Sequence, residues 1–292
     1  MEIFKEIIIP VLVFIGLGAL MGIMLAVAAK AFAVEKDPRI DKIVNCLPGA
    51  NCGGCGFPGC AGFAEAVVKG EASPTGCAAC GELRSAQICE IMGITAEKGV
   101  RMRAQVMCSG TAEYAKKKYL YTGYPDCISA VTLGGGDKLC PNGCIGLGTC
   151  VRSCAFGAIS VVDGVAVVDY RKCKGCGVCV ASCPKKLIEL IPYDARHWVA
   201  CKSVQDAKTT RKTCDVGCIS CRLCEKNCEA KAITVDSFVA SIDYSKCIDC
   251  GVCVSKCPRG IIKSPDWEDS EPDIHFDHSQ DGAVSADNGE NG

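Results

Sequence analysis

The sequence from residue 173 to residue 184 reads Cys173-Lys-Gly-Cys176-Gly-Val-Cys179-Val-Ala-Ser-Cys183-Pro184. Its first three cysteines are separated by two residues each, and the fourth follows three residues later, directly before a proline. Thiols at this spacing converge on one point, and a zinc site does not use a third cysteine so close. The stretch therefore indicates cysteine ligands of a 4Fe–4S cluster.

The same pattern recurs 74 residues further along the chain, as Cys247, Cys250, Cys253, Cys257 and Pro258. In bacterial ferredoxins three cysteines of such a run hold one cluster, and the fourth, before the proline, reaches a second cluster. Nine cysteines reappear at this separation, namely Cys127, Cys140, Cys144, Cys150, Cys154, Cys173, Cys176, Cys179 and Cys183, followed by Cys201, Cys214, Cys218, Cys224, Cys228, Cys247, Cys250, Cys253 and Cys257. Chance does not produce such a repeat, so the chain contains a duplicated structural unit.

Each repeat is predicted to hold two clusters, as a two-cluster ferredoxin does. In the second repeat the predicted ligand sets are Cys218, Cys221, Cys224 and Cys257, and Cys228, Cys247, Cys250 and Cys253. The first repeat differs, because Leu147 stands where the second repeat has Cys221. Its predicted ligand sets are therefore Cys140, Cys144, Cys150 and Cys183, and Cys154, Cys173, Cys176 and Cys179.

Short alternating stretches lie between the cysteine runs. Residues 158–162 and 165–168 flank the dipeptide Asp163-Gly164, and this arrangement predicts a β-hairpin. The second half of the chain is therefore expected to form α+β tandem bacterial-type two-cluster ferredoxin modules.

A different cysteine motif lies nearer the N-terminus and reads Leu47-Pro-Gly-Ala-Asn-Cys52-Gly-Gly-Cys55-Gly-Phe-Pro-Gly-Cys60. Its glycines allow the backbone to curl around a cluster. Cys77 is predicted as the fourth ligand of a fifth 4Fe–4S cluster, but the spacing excludes neither Cys80 as that ligand nor zinc as the metal. A helix is predicted from Ala61 to Lys69, ending at Gly70, so a small and mainly α domain is expected here.

Seven cysteines remain outside these five sets, namely Cys46, Cys80, Cys89, Cys108, Cys127, Cys201 and Cys214. Cys127 and Cys201 are equivalent positions of the two repeats, which indicates a common role. One hypothesis is that a sixth cluster is held by Cys108, Cys127, Cys201 and Cys214. The alternative is that these thiols are buried as small apolar side chains.

The composition excludes several classes of protein. The chain of 292 residues has 27 cysteines, an odd number, and most stand in close runs that suit a shared metal better than disulfide bonds. A formal net charge of −1 disfavours binding to nucleic acid. The histidines have no acidic or nucleophilic neighbours that would indicate a catalytic site. Free cysteines in this number favour a reducing compartment.

The segment from Ile7 to Ala29 contains 23 residues without a charge, which is long enough to span a bilayer. A signal peptide would have a shorter apolar core and a cleavage site of small residues. Basic residues follow the segment, whereas only Lys5 precedes it, so the remainder of the chain is predicted to lie in the cytoplasm. A single-pass membrane anchor is therefore expected.

These features divide the chain into six predicted segments. They are a transmembrane anchor at 1–33, a four-cysteine domain at 34–95, a connector with extra cysteines at 96–135, ferredoxin modules at 136–199 and 200–263, and an acidic tail at 264–292. The tail carries nine acidic residues without Lys or Arg, a composition that predicts disorder.

An N-terminal anchor, the LPGANCGGCGFPGC motif and C-terminal ferredoxin modules together resemble the B subunit of the Rnf-type ferredoxin:NAD oxidoreductase complex, a translocase of bacterial and archaeal cell membranes. The resemblance covers nearly all of residues 1–263. It implies that soluble ferredoxin donates electrons to this chain and that other membrane and peripheral subunits receive them, reduce NAD and move sodium ions or protons. Two alternatives are a ferredoxin-like subunit of another membrane oxidoreductase and an iron–sulfur sensor.

Overall fold

The structure is a computed structural model that describes residues 2–31, 37–95 and 99–265. The chain divides into two compact units, Met1–Gly99 and Val100–Gly292. The predicted acidic tail lies outside the described residues, apart from its first two positions.

The first unit begins with a long apolar helix, α1 (Glu2–Ala31). Its segment Val11–Ala28 has the length and composition needed to cross a membrane, and none of that segment is buried against the rest of the protein. In water, an exposed apolar surface of this size would be costly. The apolar segment predicted at residues 7–29 lies within this helix.

Three further helices of the first unit build the four-cysteine domain: α2 (Pro38–Cys46), α3 (Gly59–Lys69) and α4 (Gly81–Met92). Helix α2 contacts both of the others. Its Ile43 is fully buried, together with Phe63 of α3 and Ile88 of α4. Burial of each such side chain contributes about 1.5–3 kcal/mol. As predicted, α3 ends at Gly70, whose left-handed φ of 78° stops the helix.

The second unit contains six short helices and eight short strands among its described residues. The helices are α5 (Cys127–Thr132), α6 (Thr149–Arg152), α7 (Val178–Ser182), α8 (Ala207–Thr213), α9 (Leu223–Lys226) and α10 (Val252–Lys256). The strands are β1 (Met102–Val106), β2 (Ile159–Val162), β3 (Val165–Val168), β4 (Ile188–Pro192), β5 (Trp198–Val199), β6 (Ile233–Asp236), β7 (Val239–Ile242) and β8 (Ile262–Lys263).

The strands pair into four antiparallel ribbons, two in each repeat: β1–β4 and β2–β3, then β5–β8 and β6–β7. The predicted hairpin around residues 163 and 164 is confirmed. Asp163 and Gly164 both have positive φ, 48° and 75°, as the preferred two-residue hairpin turn requires. Strand β1 lies in the segment predicted as a connector, yet it pairs with β4 of the first ferredoxin module. The boundary expected at residue 136 therefore falls between two strands of one ribbon.

Each repeat has its own small core, in which aliphatic strand residues surround buried cysteines. In the first repeat, Ile159, Val165 and Ile188 pack with cysteines that include Cys150 and Cys179. In the second, the corresponding cluster contains the aliphatic residues Val199, Ile233 and Ile262 and the cysteines Cys218, Cys224 and Cys253. The cysteines are therefore part of the cores, and the ribbons position them.

Candidate metal centres

The cysteines of the second unit line cavities in groups of four. Within the described residues, no three His, Cys, Asp or Glu side chains converge in the way that a single metal ion requires. Four cavities are each lined by four cysteines, the number of thiolates that a 4Fe–4S cluster needs.

The first cavity, of about 410 Å³, is lined by Cys127, Cys144, Cys150 and Cys183. The sequence-based set had Cys140 in place of Cys127. Cys127 lies at the start of α5, and it supplies the thiol that the repeat lacks at Leu147. We call this group of cysteines site 2.

A hydrogen-bond network holds α5 against α6 and so positions Cys127. Asp126 caps α5 by accepting hydrogen bonds from two of its backbone N–H groups. The Thr149 hydroxyl donates to Asp126 over 2.7 Å and accepts from the Cys127 N–H over 2.8 Å. Arg152 forms an ion pair with Asp126 at 2.9 Å. The hydrogen bond from Thr149, followed by those of the helix cap, lowers the pKa of Asp126 to about 2.

A second cavity, of about 400 Å³, is lined by Cys108, Cys140, Cys201 and Cys214. The hypothesis of a sixth cluster had grouped Cys127 with the other three, whereas the structure places Cys140 there. We call this group site 3. Burial raises the pKa of Cys201 to about 12.

The two cavities of the second repeat contain the cysteines grouped from the sequence. Site 4 is lined by Cys218, Cys221, Cys224 and Cys257, and site 5 by Cys228, Cys247, Cys250 and Cys253. Each cavity is about 350 Å³. His197 also lines site 5, where its Nδ1 lies 2.9 Å from the Ser264 hydroxyl.

The remaining set of the first repeat, which we call site 1, also comes together. Burial first, and then the neighbouring Cys173, Cys176 and Cys154, raise the pKa of Cys179 to about 12. Backbone N–H groups point at two of these sulfurs, from Ala104 to Cys173 and from Ala158 to Cys154, both at 3.4 Å.

Backbone N–H groups also connect neighbouring sites. The Cys144 N–H of site 2 donates to the Cys108 sulfur of site 3 over 3.5 Å, and the Cys218 N–H of site 4 donates to the Cys201 sulfur of site 3 over 3.4 Å. Such donors stabilise thiolate ligands and the anionic cluster that they bind. The four-cysteine sets and these donors therefore fit 4Fe–4S clusters.

In the four-cysteine domain, three members of the predicted set pack against the core cluster that includes Phe63: Cys55, Cys60 and Cys77. The Asn51 side chain accepts the Cys60 N–H over 2.8 Å and so fixes the motif against the start of α3. The predicted ligand Cys52 is half-buried in the same loop.

The geometry distinguishes the chemistry of Cys77 from that of Cys80. Cys80 is buried, and its thiol points at the Cys46 carbonyl over 3.6 Å. The contact between the Cys77 and Cys80 sulfurs lowers the pKa of Cys77 to about 6 and raises the pKa of Cys80. This contact favours Cys77 over Cys80 as the metal-binding thiolate.

We expect Cys77→Ala to remove about four iron and four sulfide per chain, the content of one 4Fe–4S cluster. The control Cys80→Ala should retain them, because this thiol acts as a hydrogen-bond donor. Chemical assays of iron and sulfide on the anaerobically purified variants measure these contents. Loss of iron from Cys80→Ala, with retention in Cys77→Ala, would assign the ligand to Cys80.

Three family models match the chain at the regions just described. They are a putative Fe-S cluster model at residues 47–82, a 4Fe-4S binding domain at 166–189 and a 4Fe-4S dicluster domain at 217–262. Together with the apolar helix and the four-cysteine cavities, they define a multi-cluster iron–sulfur protein of the ferredoxin type.

The B subunit of the Na⁺-translocating ferredoxin:NAD⁺ oxidoreductase complex from Acetobacterium woodii is 43% identical over 259 residues, which cover 88% of this chain and 78% of the relative. The chain belongs to this family of ion-translocating oxidoreductase B subunits. The B subunit of the ion-translocating oxidoreductase complex from Methanosarcina acetivorans is 41% identical, covering 85% of this chain and 94% of the relative. The B subunit of the proton-translocating ferredoxin:NAD⁺ oxidoreductase complex from Clostridium ljungdahlii is 40% identical, covering 85% of this chain and 89% of the relative.

Proposed function

We propose that this chain is the electron-transfer subunit of an ion-translocating oxidoreductase complex. It accepts electrons from reduced ferredoxin and passes them towards membrane and NAD-reducing partner subunits. The relatives at 40–43% identity are all named as B subunits of such complexes, and two of the names specify ferredoxin and NAD. The chain contributes no separate catalytic residue to this role.

Six 4Fe–4S clusters are proposed, five at sites 1 to 5 in tandem ferredoxin modules and one at Cys52, Cys55, Cys60 and Cys77. Each cluster, when bound, takes up and returns one electron. The cysteines hold the clusters, the backbone N–H groups that point at the sulfurs favour the anionic state, and the aliphatic residues of the two cores exclude water.

The observation that carries this proposal is the continuity of the sites in the second unit. Site 3 is connected to site 2 through Cys108 and Cys144, and to site 4 through Cys201 and Cys218. Sites 1 and 2 share a core, and so do sites 4 and 5. An unbroken series of five sites is the arrangement that electron conduction along one chain needs.

The proposed location is the cell membrane, with α1 as a single span and the iron–sulfur domains in the cytoplasm. Lys5 precedes the apolar stretch, whereas Lys30, Lys36, Arg39 and Lys42 follow it. This excess of positive charge after the span favours a cytoplasmic location for the domains.

The test is the iron and acid-labile sulfide content of the full chain, purified anaerobically in detergent, followed by reaction with reduced ferredoxin. Six clusters predict about 24 of each per chain, and reduction should bleach the visible absorption. Bound zinc without sulfide, or clusters that ferredoxin does not reduce, would contradict the proposal.

A further inference from the structure

Site 4 opens to solvent at a face that carries both apolar and basic side chains. Its ligand Cys221 is exposed, in contrast to the buried Cys218 and Cys224 of the same site. Beside it, the side chains of Leu223 and Phe238 are 41% and 51% exposed. The Ser220 hydroxyl donates to the Phe238 carbonyl over 2.6 Å, which holds the hairpin between β6 and β7 against the Cys221 loop. We call this surface the Cys221 face.

Two residues of the Cys221 face stand at positions where the first repeat has glycine. Arg222 and Phe238 adopt left-handed backbone conformations, with φ of 57° and 68°. The residues 74 positions earlier are Gly148 and Gly164, with φ of 74° and 75°. Glycine adopts this conformation without strain, whereas a bulky side chain does so at a cost in stability. At these two positions the second repeat therefore carries an arginine and a phenylalanine at some cost in backbone strain.

The corresponding surface of the first repeat is covered by another part of the chain. Thr149, the equivalent of Leu223, accepts the Cys127 N–H, and Asp126 binds Arg152 of the same short helix. In the second repeat the described residues leave the equivalent surface exposed. The first repeat uses this surface for a contact within the chain. In the second repeat the same surface is available for a contact with a partner.

Basic residues predominate at the Cys221 face. Arg222 and Arg259 line the site 4 cavity, and Lys226 is exposed at the end of α9. Two carboxylates lie near these basic residues. Glu225 pairs with Arg222 at 3.2 Å and also accepts the Val235 N–H, and Asp236 is exposed in the hairpin that carries Phe238. An exposed apolar centre with excess positive charge, directly over a cluster ligand, matches an acidic redox partner.

We propose that the Cys221 face is the docking surface for a small acidic electron carrier of the ferredoxin class, which delivers its electron into site 4. The inference rests on the proposed function and assigns the place where the carrier binds. Phe238 and Leu223 form the apolar centre of the contact, and Arg222 and Lys226 attract the acidic partner before contact.

The test compares Phe238→Gly and Arg222→Gly with Lys231→Gly in the full chain. Lys231 also has a left-handed φ, 52°, and is the repeat equivalent of Gly157, but it is not part of the Cys221 face. All three substitutions relieve backbone strain, so each should match or exceed the thermal stability of the wild type. Stopped-flow absorption follows reduction by an acidic ferredoxin at several salt concentrations, and by dithionite, which needs no docking surface.

We expect Phe238→Gly and Arg222→Gly to lower the second-order rate constant with ferredoxin by about tenfold, with Arg222→Gly also weakening its dependence on salt. Lys231→Gly should keep the wild-type rate, and dithionite should reduce all variants equally. Wild-type rates in both face variants, or equal slowing in Lys231→Gly, would overturn the docking surface but leave the proposed function intact. A wild-type chain that dithionite reduces and ferredoxin does not would overturn the proposed function itself.

Discussion

Replacing Cys108 with alanine is expected to remove about four iron and four sulfide per chain, from about 24 of each to about 20. Cys108 contributes to site 3 alone, whose four thiols surround a cavity of about 400 Å³. Because site 3 connects site 2 to site 4, the variant should also interrupt electron transfer between the two repeats. Metal and sulfide analysis measures the first effect, and rapid-freeze EPR after partial reduction measures the second.

Double substitutions test which cysteine belongs to site 3. If Cys140 shares site 3 with Cys108, the variant Cys108→Ala/Cys140→Ala should lose only about four iron, because both substitutions remove ligands of the same cluster. Cys108→Ala/Cys127→Ala should lose about eight, because Cys127 belongs to site 2. The grouping made from the sequence predicts the reverse. Cys89→Ala, which removes a buried cysteine outside every site, is the control and should keep its full iron content.

The cysteine spacing predicted most of the groups in which the cysteines come together, because the members of each group are close in sequence. In sites 1, 4 and 5 three of the four cysteines come from one short run, and only one crosses over, so the ferredoxin pattern is sufficient. The hairpin at Asp163 and Gly164 was likewise predictable, because two residues with positive φ determine it locally.

The exchange of Cys127 and Cys140 was not predictable from spacing. Cys127 reaches site 2 through the capping of α5 by Asp126 and the contact with Thr149, which join segments more than twenty residues apart. One signal was available in the repeat, because Cys140 is equivalent to Cys214 and both precede the first cysteine of a cluster run by four residues. Leu147 marked a missing ligand but did not indicate its source.

The pairing of β1 with β4 was missed for a similar reason. The strand Met102–Val106 pairs with Ile188–Pro192, about 86 residues away, and no local pattern encodes such a contact. The contribution of the connector to the first repeat therefore depends on tertiary packing.

A buried lysine between two sites leads to a second prediction with a large effect. Lys138 is 4% exposed, and its ammonium donates to the carbonyls of Gly110 at 2.6 Å and Gly164 at 3.0 Å. Gly110 lines site 3, and Gly164 contacts Gly146, which lines site 2. In the described part of the chain Lys138 forms no ion pair, because the adjacent Asp137 binds Lys117 instead.

An isolated ammonium is costly to bury, so its charge needs an anionic neighbour. Burial raises the pKa of Cys144 in site 2, and the electrostatic effect of Lys138 opposes that rise. The same positive charge should stabilise the extra negative charge of a reduced cluster at site 2 or site 3. Lys138 is therefore expected to raise the reduction potential of the clusters in the middle of the series.

We expect Lys138→Met to lower the potential of at least one of these clusters by about 60 mV, which is a tenfold change in a one-electron equilibrium. Lys138→Arg keeps the charge and should stay close to the wild type, and Lys208→Met removes an exposed lysine on α8 and should have no effect. Potentiometric titration followed by EPR measures each potential, with iron content confirming that all clusters are retained. A purely structural role for Lys138 predicts loss of iron without a shift in potential, because the carbonyls of Gly110 and Gly164 would then lose their donor while the charge had no electrostatic effect.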